Sequence, residues 1–427
     1  MKNFALVIII VLVAFKVEAQ EDWNQYLGPD RKASLKNANI LRSWPEEGPN
    51  KLWSFELGQG YGGASIIGDE VFVLDRITGK KDILRCIDLN TGEEKWQYAY
   101  DAPGEIPYPG SRAVPTVDNQ YVWTAGPFGH FTCVSRETHQ AVWSHNLLND
   151  FDAKLPKWGV SQSPVIYKDL IIVAPQGNKA GVVAFNKLNG KVVWKSRKLT
   201  GHNAYVSLVL AKIDGVDQVI IISPYDKNDS ETSAEVVAFN ASDGTELWKY
   251  LGLRSFLTIT PPTVIDDNRI FLTDCSYNDK YGPVSIMLDI KRKDNNFTVT
   301  ELFKTEKAGN KMHPAVLFEN HLYMNNNGRP SQMTCMNLDG EVLWTENTSP
   351  NFGLGALILI DGLIMNQNGK NGDLYLIDPS PSAYKEIAKA SLFKNQKPQA
   401  WSPLAFSKGK LLIRNMEEML CIDIQNR

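Results

Sequence analysis

The chain has 427 residues, 43% of them hydrophobic, and a formal net charge of −3. That much apolar material can bury a large core, while the near-neutral balance excludes the basic footprint of a nucleic-acid binder or of a protein held on an anionic membrane surface. A generic size of roughly 150 residues per domain suggests two or three domains, an expectation that a repeat architecture would override.

Residues 1–19 place Lys2 ahead of an apolar run from Phe4 to Phe15 and end on the small residue Ala19, the pattern of a cleavable signal peptide. A run of twelve apolar residues is too short for a membrane-spanning helix, which needs ~20. Position 20 is Gln, so the thiol required for a lipid anchor is missing. The expected address is periplasmic or secreted, with no membrane span, and removal of the leader's net +1 leaves a mature charge of −4. A lead-in segment, residues 20–50, then precedes the body of the protein, residues 51–427.

That body is repetitive. A turn followed by a tryptophan recurs as "CIDLNTGEEKW", "CVSRETHQAVW", "AFNKLNGKVVW", "AFNASDGTELW" and "CMNLDGEVLW". Each phrase is preceded by a second stretch such as "SPVIYKDLIIVAP" or "PAVLFENHLYMNN", and both stretches alternate apolar and polar residues between Asn, Asp and Gly turn signals. Each unit therefore reads as four short antiparallel strands. Trp53, Trp96, Trp143, Trp194 and Trp248 are spaced 43, 47, 51 and 54 residues apart, and Trp344 follows after 96, two periods with Phe303 in the vacant slot. A further unit would put its tryptophan slot near Leu392, and a last one starting at Trp401 lacks a fourth strand. Pairing Lys51–Phe55 with Met419–Ile424 would supply that strand and close a ring without a long exposed edge. The prediction is an all-β fold: an eight-bladed propeller of four-stranded antiparallel blades, within the usual ~4 to 8. The six tryptophans are expected to dock each blade on its neighbour, an apolar face with one N–H donor for a turn carbonyl.

Five cysteines in an exported chain raise the question of disulfides. Cys86 and Cys133 each lie ten residues before a tryptophan, Cys335 lies nine before one, and Ala184 and Ala238 hold the same slot elsewhere. A slot filled by Cys or Ala is a small buried site, so free thiols are expected.

These phrases resemble the pyrroloquinoline-quinone-like (PQQ-like) repeat family, most closely at Ile87–Trp96, and the lead-in "WNQYLGP" is similar to that of exported members. The resemblance implies an eight-bladed propeller and two kinds of activity. One branch consists of quinoprotein alcohol dehydrogenases, including polyvinyl-alcohol-dehydrogenase-like members, which use pyrroloquinoline quinone with Ca²⁺. Another is similar to the propeller subunit of the outer-membrane protein assembly machinery, a scaffold. The vicinal cysteine pair that stacks on the quinone in many of the enzymes is missing, as is a Cys-x-x-Cys-His haem site. The acidic run 226–231 starts like a calcium loop but has Glu231 where Gly is required.

The innermost strand of each blade should follow the inter-blade connection, so the residues at its entry should face the channel. Those entries nominate Arg112, Trp158, Gln162, Asn203, Tyr205, Arg254, His313 and Trp401 as mouth residues, with Gln59, Tyr61, Ser111, Ser163, Thr258 and Asn351 beside them. The favoured function is an exported, monomeric binding or scaffold module for a protein, peptide or glycan. The alternative is a PQQ-dependent alcohol dehydrogenase, with Arg112 or Arg254 holding the cofactor's carboxylates.

Overall fold

The computed structural model describes residues 22–427 apart from 202–204, 225–232, 256, 276–281, 295, 328–331, 346–349 and 395–398. Residues 1–19, expected to be a signal peptide, Asn203 and the acidic run 226–231 lie outside the described residues. Eight antiparallel sheets are arranged as blades, each running from an inner strand to an outer one. In blade 1 these are Ser65–Ile67, Glu70–Ile77, Gly79–Asp88 and Glu94–Gly104. The middle strands read as continuous apolar runs, such as Val71–Leu74, because both their faces are covered by neighbouring blades, and all four of those residues are buried. Outer strands alternate instead, since one face meets solvent.

The ring closes as the repeat count requires. Asn50–Glu56 pairs antiparallel with Glu418–Asp423, setting Trp53 opposite Cys421 and Phe55 opposite Met419, and so completes blade 8.

The tryptophan slot has a cross-strand explanation. In all eight blades the outer strand shifts register by one residue beside this slot, a bulge that turns the ring toward the next blade. Trp96 faces Cys86, Trp143 faces Cys133, Trp194 faces Ala184, Trp248 faces Ala238, Trp344 faces Cys335 and Trp53 faces Cys421. Where the small partner becomes Met287, the large one shrinks to Phe303. Blade 7 carries the exchange furthest, with Leu376 facing Ala388. The slot there is thus Ala388 and not a position near Leu392; with the pair's volume moved to the inner member, no aromatic residue marks it. The cysteines are accordingly small buried partners, all five free.

The indoles reach across to the following blade. Trp53 donates to Leu89 O at 2.9 Å, Trp143 to Lys187 O at 3.1 Å, Trp194 to Ala241 O at 3.2 Å and Trp344 to Ser380 O at 3.0 Å. Gly92 lies flat on Trp53 with φ of +78°, where a Cβ would come within 2.6 Å of the ring. Two tryptophans differ: Trp248 donates to Gln218 Oε1 of its own blade, and Trp96 stacks on His139 at 4.6 Å.

The lead-in does more than precede the ring. Ile66 N of blade 1 donates to Trp23 O, and Val117 N of blade 2 to Asn24 O. The Arg31 guanidinium then donates to Pro164 O and Leu208 O of blades 3 and 4. Ser34–Leu35 pairs parallel with the inner strand Leu357–Ile360 of blade 7, adding a fifth strand. Blades 3 and 4 stand across the ring from blade 7, so the segment between them crosses the axis and floors the channel. Leu27, Arg31 and Ala33 hold φ of 66°, 58° and 52°, left-handed values that this crowded crossing imposes on non-glycine residues.

Candidate functional site

Above that floor lies a cup of about 500 Å³, within the size range of small-molecule sites. Every blade contributes to it from the entry to its inner strand: Tyr61, Arg112, Trp158, Tyr205, Ile259, Lys311, Leu354 and Trp401 represent blades 1 to 8 in order. Tyr26 of the lead-in lines it as well.

Five aromatic rings form a continuous arc. Trp401 stacks on Tyr61 at 5.3 Å with an interplanar angle of 23°, and Tyr61 meets Tyr108 edge-on at 6.4 Å. Tyr108 meets Trp158 edge-on at 6.3 Å, and Trp158 lies 5.2 Å from Tyr205. The remaining wall is largely aliphatic, with Leu257, Ile259, Met312, Leu354 and Pro403. Such a surface offers broad ring faces and an apolar seat in a water-poor recess.

Of the residues nominated from the sequence, Arg112, Trp158, Tyr205, His313 and Trp401 are brought together in this cup, along with Tyr61 and Ser163. Gln162 is buried behind the wall, its Oε1 accepting from Ala174 N at 3.0 Å. Arg254 is exposed and is not part of the lining, so the pair of arginines converging on one ligand is not formed. Ser111 and Thr258 are buried outside the lining, and Gln59 and Asn351 are exposed. Tyr108, Tyr26 and Lys311 were not nominated. Lys311 opens the same entry "KMHPA" that nominated His313, and its place in that stretch is the signal that could have found it. Tyr26 carries no such signal, because nothing in the sequence tells where the lead-in crosses.

The charged groups of the cup each have a structural tie. Arg112 donates to Gly110 O at 2.7 Å, to Pro107 O at 3.1 Å and to Tyr108 O, bracing the loop that presents Tyr108, and its guanidinium lies 5.5 Å from the Tyr61 ring centre. Burial lowers its pKa to about 10. His313 is buried, with Nε2 at 3.0 Å from Trp401 O, and burial lowers its pKa to about 4, so the ring is neutral and anchors Trp401. Burial likewise brings Lys311 down to about 7 and pushes the carboxyl of Asp274, which is electrostatically coupled to it, up to about 7.

His313 gives a pH expectation. An unfolded imidazole titrates near 6.5, above the folded value of about 4, so the unfolded chain binds more protons between the two. The stabilisation from keeping His313 neutral is complete above pH 6.5 and is lost as pH falls through 4. Urea unfolding of the wild type should lose up to about 3 kcal/mol more than His313→Gln across that window; parallel pH profiles for the two proteins would contradict it.

A quinone–calcium centre needs oxygen ligands for the ion. Among the described residues no Asp, Glu, Asn or Gln lines the cup. Among the described residues no group of three or more His, Cys, Asp or Glu could hold a metal ion. The described residues therefore do not supply that ligand set.

Comparison with known proteins places the chain. No curated protein sequence matches it. Among solved structures, BamB from Moraxella catarrhalis matches with a TM-score of 0.60 at 14% identity, covering 88% of this chain and 98% of that one. A europium-containing methanol dehydrogenase matches with a TM-score of 0.64 at 12% identity, covering 94% and 89%. The quinohemoprotein alcohol dehydrogenase from Comamonas testosteroni matches with a TM-score of 0.62 at 10% identity, covering 95% and 81%. At these identities the likeness is one of fold. A family model described as outer membrane protein assembly factor BamB matches residues 80–346, more than half of the sequence. The chain thus belongs to that family, as the PQQ-like phrases implied.

Proposed function

We propose that this protein is an exported binding propeller whose cup seats an aromatic or apolar group presented by a protein or peptide, the ring serving as the rigid scaffold. The observation that carries this reading is the five-ring arc from Trp401 to Tyr205 above a channel floored by the lead-in. A recess with one mouth can bury an inserted side chain, whereas an open channel would leave it wet. The description of the family, an outer membrane protein assembly factor, supports a scaffold role. That no carboxylate lines the cup among the described residues supports binding over quinone-dependent alcohol oxidation.

Thermal unfolding sets the two readings against each other. An acetylated Ala-Trp-Ala amide peptide in excess should raise the midpoint, and an Ala-Ala-Ala peptide should not. Pyrroloquinoline quinone with Ca²⁺ should leave the midpoint unchanged. Stabilisation by the quinone, about 2.7 kcal/mol at 100 times its Kd, together with alcohol-dependent dye reduction, would overturn the proposal in favour of the dehydrogenase.

A further inference from the structure

A second recess, of about 550 Å³, opens on the rim of the ring between blades 1 and 2. One wall is the outer strand Glu94–Gly104 of blade 1, and the other is the outer pair of blade 2, His130–Ser135 and Ala141–Asn146. Two-residue periodicity turns Tyr98 and Tyr100 to the same face of the first wall. Their ring centres lie 6.1 Å apart, and the Tyr100 ring is 5.2 Å from the His130 ring across the cleft. On blade 2, Thr132 faces Ser144 and His130 faces Asn146, so these four side chains share one face.

The polar groups of this cleft are largely unspent. Thr132 is only 3% exposed, yet its hydroxyl makes no hydrogen bond to a described residue, and neither does either ring nitrogen of His130. A polar group left unpaired in such a place costs about 1–3 kcal/mol, which a guest carrying hydroxyls removes. Nearer the solvent, the Asp101 carboxylate, the Ser144 hydroxyl and the Asn149 amide also have no side-chain partner among the described residues. His145 and Asp150 are tied to each other at 2.9 Å. An anion is opposed here by Asp101 and Asp150, and a purely apolar guest would strand Thr132 and His130. No group of three or more His, Cys, Asp or Glu among the described residues could hold a metal ion. A pyranose satisfies both halves of the lining: its C–H face suits the tyrosine rings, and its hydroxyls both donate and accept.

We propose that the cleft between blades 1 and 2 is a saccharide site, with a pyranose ring lying on Tyr98 and Tyr100 and its hydroxyls held by Asp101, Thr132, Ser144 and Asn149. The site is separate from the cup and does not depend on what the cup binds. Hydrogen bonds from sugar hydroxyls to the Asp101 carboxylate are charge-assisted and supply the strongest polar hold. Thr132, at the buried base of the cleft, receives the hydroxyl that reaches deepest.

The test titrates maltotriose, cellotriose and chitotriose into the full chain by calorimetry. The expected result is saturable binding of at least one of them, one molecule per chain. Asp101→Ala, at an exposed position, and Thr132→Val, which removes a hydroxyl that bonds to no described residue, should each weaken that binding about tenfold. Ile259→Trp, which fills the cup, should leave it intact, and saturating sugar should leave binding of the Ala-Trp-Ala peptide unchanged. No saturable heat with any of the three sugars overturns the proposal, and the cup reading stands if the peptide still binds. Sugar binding that survives Asp101→Ala and is lost in Ile259→Trp puts the sugar in the cup and overturns the proposal as well.

Discussion

Replacing Asp82 with alanine is expected to destabilise the protein by about 3–5 kcal/mol, the usual effect of stranding one member of a buried ion pair. Arg76 and Asp82 meet at 2.5 Å on the middle strands of blade 1, with side chains 1% and 0% exposed. Arg76 also donates to Ala102 O and Gly104 O of the outer strand, and its guanidinium lies 4.6 Å from the Phe128 ring of blade 2. The pair therefore ties three strands of one blade to the next. Without Asp82 the guanidinium keeps its carbonyl partners but loses the counter-charge it meets in this buried site. Burial pushes the Asp82 carboxyl above its ordinary range, against the opposing pull of Arg76. The double variant Arg76→Met with Asp82→Leu, which removes both charges, should recover most of the loss in urea unfolding. A single variant within 1 kcal/mol of wild type, on the scale of an exposed pair, would show that the pair is not buried as described.

The second large effect concerns ring closure. Trp53→Ala should destabilise by about 3–5 kcal/mol, the range for a buried aromatic side chain in a core. Trp53 is 7% exposed, donates to Leu89 O and covers Gly92, all at the seam where the first strand of the ring meets blade 1. Its loss leaves a cavity where the amino-terminal strand that completes blade 8 packs on blade 1. Trp96→Ala is the control: its ring is only partly buried and stacks on His139, so about 1–2 kcal/mol is expected from lost burial. Urea midpoints that move equally for the two variants would contradict a special role for the seam.

Much of this was legible in the sequence because the blade is a local unit. Alternation, Asn-Gly turns and the Trp spacing fix four strands within some forty residues, and complementary half-units at the two ends leave closure as the way to avoid an open edge. The channel entries were legible for the same reason: each inner strand starts where its connection ends, so Trp158, Tyr205, His313 and Trp401 could be nominated by position. What failed had no local mark. Arg254 occupies an equivalent stretch but is exposed and does not line the cup. The blade 7 slot at Ala388 is hidden by an exchange of volumes with Leu376 that only pairing reveals. The lead-in path, with Leu27, Arg31 and Ala33 in left-handed backbone, is set by contacts with blades distant in sequence, against local preference.

The most direct test of the account is calorimetric titration of the Ala-Trp-Ala peptide into wild type and into Ile259→Trp, which fills the cup from the blade 5 side. Saturable binding of one peptide per wild-type chain, abolished in the filled variant at an unchanged thermal midpoint, is the predicted result. Equal binding by both proteins, or no saturable heat with wild type, would contradict the assignment of the cup as the binding site.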